Sequence, residues 1–126
     1  MLFRSAGTRF SACITPNVVC QPSRASILTG LLPRTHGVSD NGIDLPEAAA
    51  KAGFAARLSS HGYATGFLGK AHFTTHNTFA PTGTPECRFS SADYPAGWRG
   101  PHMGFQHFES MVVPHNLRRK IGRAHV

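Results

Sequence analysis

Cys20-Gln21-Pro22-Ser23-Arg24-Ala25-Ser26-Ile27-Leu28-Thr29-Gly30 is the stretch on which the reading of this chain turns. Pro22 suits the first turn of a helix, where its missing N–H costs nothing and its fixed φ is already helical. Ile27 and Leu28 supply an apolar side, and Gly30 supplies a stop. The pattern predicts a short helix over residues 22–29 with Cys20 at its entrance. Unpaired backbone N–H groups and the positive end of the helix dipole favour an oxyanion or a tetrahedral anion at such a place. Arg24, four residues on, returns to the same side one turn later. A lone cysteine is more often a small buried hydrophobe, so the argument rests on the whole pattern.

Upstream, residues 8–13 read as a short strand, because Phe10 and Ala12 alternate with Arg9 and Ser11. Residues 14–19, with Pro16 and Asn17, read as the loop that delivers the chain to Cys20. Downstream, residues 31–42 carry Pro33, Gly37 and Ser39-Asp40-Asn41-Gly42, the composition of an ordered loop. Asp44 is placed to cap a helix whose first turn accepts Pro46 and Glu47 and whose body is residues 48–52. Gly53 interrupts that helix, and residues 54–60 resume it with Phe54 and Leu58 on one face. Gly62 ends it after His61. Tyr63, Thr65, Phe67 and Leu68 predict a strand before Gly69. From Phe73 to Pro101 the chain is dominated by Thr, Pro, Gly and Ser, as in long irregular segments that line clefts. Helix followed by strand favours an α/β layer architecture.

A second chemical pattern closes that strand, Gly69-Lys70-Ala71-His72. Two residues apart on an extended backbone, Lys70 and His72 point to one face and flank a single tetrahedral anion. Lys70 offers a compact charge, whereas His72 offers a hydrogen bond to the anion or help to a departing oxygen. The first stretch resembles the signature of the formylglycine-dependent sulfatases, C-x-P-S-R followed by T-G. Cys20, Pro22, Ser23, Arg24, Thr29 and Gly30 match it, with Leu31 where an arginine often stands. Residues 62–72 resemble the same family's G-Y-x-T-x-x-x-G-K-x-H element, in the same order along the chain. Residues 100–105, G-P-H-M-G-F, loosely resemble a later family segment.

The resemblance implies part of an alkaline-phosphatase-like α/β domain, a mixed sheet flanked by helices and incomplete in this chain. It implies a sulfuric ester hydrolase whose nucleophile is formylglycine made from Cys20, with Arg24, Lys70 and His72 as the other catalytic residues. It also implies a divalent metal, Ca²⁺ ahead of Mg²⁺, with the modified Cys20 as one ligand. The family's further ligands, an acidic pair upstream and an Asp-Asn pair far downstream, are not in this sequence, so the chain by itself is expected to be inactive. The implied partners are a sulfate-ester small molecule or a sulfated sugar, and a formylglycine-generating or anaerobic maturation enzyme. A phosphonate or phosphate ester hydrolase of the same superfamily, or a noncatalytic basic binding module, are the alternatives. His36 either lies near the cleft or makes an ordinary structural bond. His61, His76, His102, His107 and His115 have no spacing that singles them out.

Composition bounds the rest. A chain of 126 residues with 40% hydrophobic and 15% charged residues makes one modest domain. No apolar run approaches the roughly 20 residues of a membrane helix, so no membrane partner is expected. Residues 1–7 lack the apolar run and cleavage site of a signal peptide, leaving periplasmic, secreted and cytoplasmic locations open. Residues 1–5 and 120–126 read as translated sequencing adapter, which makes residues 6–119 the catalytic-domain fragment. Setting the ends aside removes Arg4, Lys120 and Arg123 and takes the formal charge from +7 to +4. The remaining basic residues are scattered without interleaved aromatics, so no nucleic-acid partner is expected. Three cysteines, Cys13, Cys20 and Cys87, form no C-x-x-C pair, which argues against a disulfide framework or a zinc site.

Overall fold

The computed structural model describes residues 6–110, so both segments read as adapter, and His115, lie outside the described residues. Helix α1 (Cys20–Thr29) begins two residues before Pro22, with Val19 as its extended N-cap. Its first main-chain bond runs from the Ser23 N–H to the Val19 carbonyl at 3.2 Å, so Pro22 loses no donor by lying inside the first turn. At the other end Gly30 takes φ 72° and its N–H closes on the Ser26 carbonyl at 2.8 Å, a left-handed stop that glycine adopts without strain. Gln21, Pro22, Ala25, Ser26 and Leu28 face inward.

Three further helices pack on α1. A single turn, α2 (Pro33–His36), lies within the stretch expected to be all loop. Pro33 presets its φ and Gly37, at φ 84°, ends it. Helices α3 (Glu47–Lys51) and α4 (Phe54–Ser60) match the expected pair. Asp44 does not cap α3, whose N-cap is Pro46. Instead its Oδ1 accepts the Thr75 N–H at 2.6 Å and the Thr75 hydroxyl at 2.5 Å, tying down a distant segment. Gly53 separates α3 from α4 because a Cβ there would sit 2.6 Å from the Leu28 carbonyl oxygen of α1.

Strand β1 (Gly66–Gly69) pairs with β2 (His107–Ser110) in parallel, Phe67 opposite Phe108. β1 starts later than Tyr63, since the Tyr63 N–H folds back onto the Leu58 carbonyl at 3.1 Å after Gly62 turns at φ 85°. The segment between the strands is irregular as expected, apart from a 3₁₀ turn at Ser90–Ala92. Residues 8–13 form no strand. Phe10 is 79% exposed and no neighbouring edge pairs with them, and a strand without a ladder partner has nothing to satisfy its backbone. The architecture among the described residues is α/β with a two-stranded parallel sheet. The mixed sheet is not seen among them. The core joins Ala25 and Leu28 of α1, Val38, Leu45, Ala50, Ala55 and Phe73 to Phe105 and Phe108. Phe67, partly buried, packs against it, its ring 5.5 Å from Phe73 and 5.3 Å from both Phe105 and Phe108. That aromatic cluster fixes where β1 ends, and therefore where Lys70 begins.

Candidate active site

The entrance of α1 is electrostatically open. Its N-cap, Val19, gives no side-chain cap and no acidic residue stands in its first turn, so no carboxylate of that turn offsets its positive end. Cys20 lies there, half-buried. Asn17 shapes the approach, its Oδ1 accepting the Val19 N–H at 2.8 Å, while Thr15 and Ser23 hydroxyls meet at 2.8 Å. Opposite the entrance, Asn41 Oδ1 accepts the Gln21 N–H at 3.1 Å. This fixes which way the carboxamide faces and aims its Nδ2 at Cys20 Sγ, 3.9 Å away. Sequence reasoning assigned Asn41 only to a turn; nothing local marks it as a neighbour of the cysteine.

Arg24 reaches across the fold, where its guanidinium donates to the Lys70 carbonyl. Arg24 thereby meets the second motif through a main-chain acceptor. Lys70 is exposed, and with His72 it lines a cleft of about 360 Å³ whose other walls are Asn41, Gly42, Thr75, His76 and Asn77. Cys20 is not among the lining residues and approaches the cleft through its 3.9 Å contact with Asn41. Lys70, His72 and the Cys20–Asn41 pair therefore meet on one side of the molecule, with Arg24 linking the two motifs.

His72 carries the clearest signs of a committed side chain. Its φ is 59°, a left-handed conformation costing a non-glycine residue of order 1–2 kcal/mol. Its Nδ1 is buried without a hydrogen-bond partner, an arrangement that favours an incoming ligand. Burial pushes the imidazole below its ordinary pKa of 6.5, and the Lys70 and Arg24 charges add to that, against a smaller pull from Glu86. The imidazole is consequently neutral at pH 7, and an anion in the cleft would raise its affinity for a proton.

The remaining histidines sort by their partners. His36 is structural: the Val38 N–H donates to its Nδ1 at 3.1 Å, so Nε2 carries the proton and donates to Ser26 Oγ at 2.9 Å. Burial lowers its pKa. His76 lines the cleft with Nδ1 2.8 Å from the Glu86 carbonyl. His102 Nε2 meets the buried carboxylate of Glu86 at 3.1 Å, and Glu86 Oε2 accepts the Phe73 N–H at 3.0 Å. The peptide next to His72 is thereby anchored from behind. His61 bonds the Arg57 carbonyl and His107 pairs with Glu109, both away from the cleft.

Among the described residues no group of three or more His, Cys, Asp or Glu side chains could hold a metal ion. A hard divalent cation takes six or more oxygens, so these residues do not make that site, and Cys20 is the one implied ligand among them. The cysteine modification fits better: a helix entrance without a carboxylate, an amide donor beside the sulfur and an unpartnered imidazole suit an oxygen-rich group at residue 20.

The sulfatase family model matches residues 2–112. Arylsulfatase A of Homo sapiens is 32% identical over 120 residues, which is 89% of this chain and 20% of that protein. Arylsulfatase G of Homo sapiens is 37% identical over 84 residues, 61% of this chain and 15% of that protein. A protein of Formosa agariphila named ulvan-active sulfatase is 35% identical over 85 residues, 68% of this chain and 16% of that one. No solved structure matches. The chain spans only 15% to 20% of the length of these relatives. With both motifs lying inside the matched residues, the chain belongs to the sulfatase family.

Proposed function

We propose that this segment supplies the nucleophile and part of the anion site of an enzyme that hydrolyses sulfate esters, and that the segment by itself is inactive. The observation that carries the reading is the convergence of the open α1 entrance at Cys20 with the cleft lined by Lys70 and the unpartnered His72. As formylglycine hydrate, residue 20 supplies two hydroxyls on one carbon, one to take the sulfuryl group and the other to expel it as sulfate. Asn41 Nδ2 donates to an oxygen on that carbon. Arg24 holds the Lys70 main chain in register and adds positive charge beside the helix entrance. Lys70 offsets charge on the transferring group, and His72 hydrogen-bonds the anion and serves the departing oxygen. Calcium is the preferred metal, with its other ligands from the acidic pair and the Asp-Asn pair that this sequence does not contain.

The substrate class is a sulfate-ester small molecule or a sulfated sugar, after maturation by a formylglycine-generating or anaerobic enzyme. A phosphonate or phosphate ester is the alternative substrate, because its tetrahedral anion presents the same charge and donors. Peptide mass spectrometry of the complete enzyme tests the nucleophile: an active enzyme with an unmodified thiol at residue 20 would remove it. Lys70→Ala and His72→Ala should each lower kcat on the best sulfate ester by about 10²- to 10³-fold, the scale for losing one positioned donor. Unchanged turnover, or a loss that only tracks unfolding, would sink their assignment. Faster turnover of phosphonate than of sulfate esters would select the alternative.

A further inference from the structure

Gln21, the residue after the cysteine, is completely buried although its side chain is polar. Both ends of its carboxamide are engaged. Oε1 accepts the Gly42 N–H at 2.8 Å, while Nε2 donates to the Ile43 carbonyl at 2.7 Å and to the Phe73 carbonyl at 3.4 Å. Its own backbone N–H donates to Asn41. One residue thus joins the α1 entrance, the loop at residues 41–43 and the segment that follows Lys70 and His72. Each position it grips is part of the cleft or adjoins it: Asn41 and Gly42 are in the wall, and Phe73 follows His72.

The grip on Phe73 has a particular consequence. The Phe73 carbonyl also accepts the Leu45 N–H at 3.0 Å, and its N–H is held by Glu86. The peptides after His72 are therefore fixed from several sides, which is what a left-handed, strained backbone at His72 requires in order to persist. A buried amide whose partners are all main-chain atoms transmits position well, because those partners cannot rotate away as side chains do.

We propose that Gln21 is a positioning residue for sulfuryl transfer, setting Asn41 and His72 at working distance from residue 20. This rests on the sulfatase reading above. In the complete enzyme, Gln21→Met keeps the volume and removes every side-chain hydrogen bond; Gln21→Glu keeps the Gly42 bond and turns the donor end against two carbonyls. With kcat normalised to the formylglycine content at residue 20 by peptide mass spectrometry, each variant should lose about 10- to 10²-fold in kcat, the scale of small misplacements. KM should stay within about threefold. In a His72→Ala background, Gln21→Met should cost clearly less than it does alone, because one of the two groups it positions is gone. Full turnover in Gln21→Met, losses that multiply independently with His72→Ala, or unfolding of both variants would overturn the inference. A formylglycine-bearing enzyme that hydrolyses no sulfate ester would instead overturn the function proposed above, and this inference with it.

Discussion

Replacing Glu86 tests whether the support behind the cleft is where the geometry puts it. Its carboxylate side chain is fully buried and has two partners, the Phe73 N–H at 3.0 Å and His102 Nε2 at 3.1 Å, the latter side chain only 11% exposed. Glu86→Ala leaves the buried Phe73 N–H without an acceptor, costing about 1–3 kcal/mol, and strips His102 of its partner at a similar cost. With the small void added, the loss should be about 3–5 kcal/mol. Glu86→Gln preserves shape and an acceptor for Phe73, and should cost about 1–2 kcal/mol through the His102 contact alone. Urea unfolding of the complete enzyme measures both. Because Phe73 adjoins His72, turnover in the still-folded Glu86→Gln protein should fall less than in Glu86→Ala. Equal stability losses for the two variants, or a loss below about 1 kcal/mol for alanine, would refute the account of Glu86 as an anchor.

Gly53→Ala should destabilise by about 1–3 kcal/mol, because its Cβ would press on the Leu28 carbonyl oxygen at 2.6 Å; a neutral result in the same unfolding assay would contradict the close approach of α4 to α1. His36 and His72 both have folded pKa values below 6.5, so below that pH the unfolded chain binds more protons than the folded one. Stability from these neutral imidazoles is complete above about pH 6.5 and declines as the pH falls below it, and His36→Gln should flatten the decline; an unchanged slope of unfolding free energy against pH would count against it. Burial pushes the Cys87 thiol up, but hydrogen bonds from Thr78 and from the Ser90 and Thr82 backbone outweigh that and bring it down to about 6. Because Cys87 is wholly buried and Cys13 exposed, iodoacetamide should label Cys13 far faster at neutral pH, and equal rates would show the packing around residues 78–90 to be wrong.

Local rules read α1, α3 and α4 well because Pro22, Gly30, the alanine run and Gly62 each act within one turn of where they stand. The strand at Phe67 was legible from the local run of aromatic and β-branched residues, whereas the aromatic cluster that Phe67 enters was not. The misses required knowledge of partners distant in sequence. Residues 8–13 alternate like a strand yet have no edge to join. Asp44 has a capping side chain but spends it on Thr75, thirty-one residues away. Lys70 and His72 were singled out by a spacing argument that assumed extended backbone, whereas the strand ends at Gly69 and His72 turns to φ 59°; Asn41 and Gln21 were not singled out, since their contacts span twenty residues or more. A buried glutamine is the kind of residue that composition cannot flag, because exposed glutamine is the norm.

The way the two motifs are joined explains why the cleft keeps its charge. Arg24 and Gln21 both leave α1 on the inner side and both end on backbone carbonyls, those of Lys70, Ile43 and Phe73. Had the motifs been joined by an ion pair, a carboxylate would have stood beside Lys70 and competed with any anion there. Among the described residues no carboxylate forms an ion pair with Lys70 or Arg24: Asp44 is bonded to Thr75 in the cleft wall and Glu86 to Phe73 and His102. Carbonyl acceptors use the donors of Arg24 and Gln21 without cancelling a full positive charge, so the helix entrance, Arg24 and Lys70 sum to a field favouring an anion. The same field helps to hold His72 neutral until an anion arrives. In the proposed site, positioning through the main chain and recognition through side chains would thereby be separated, which is how one short segment could carry both.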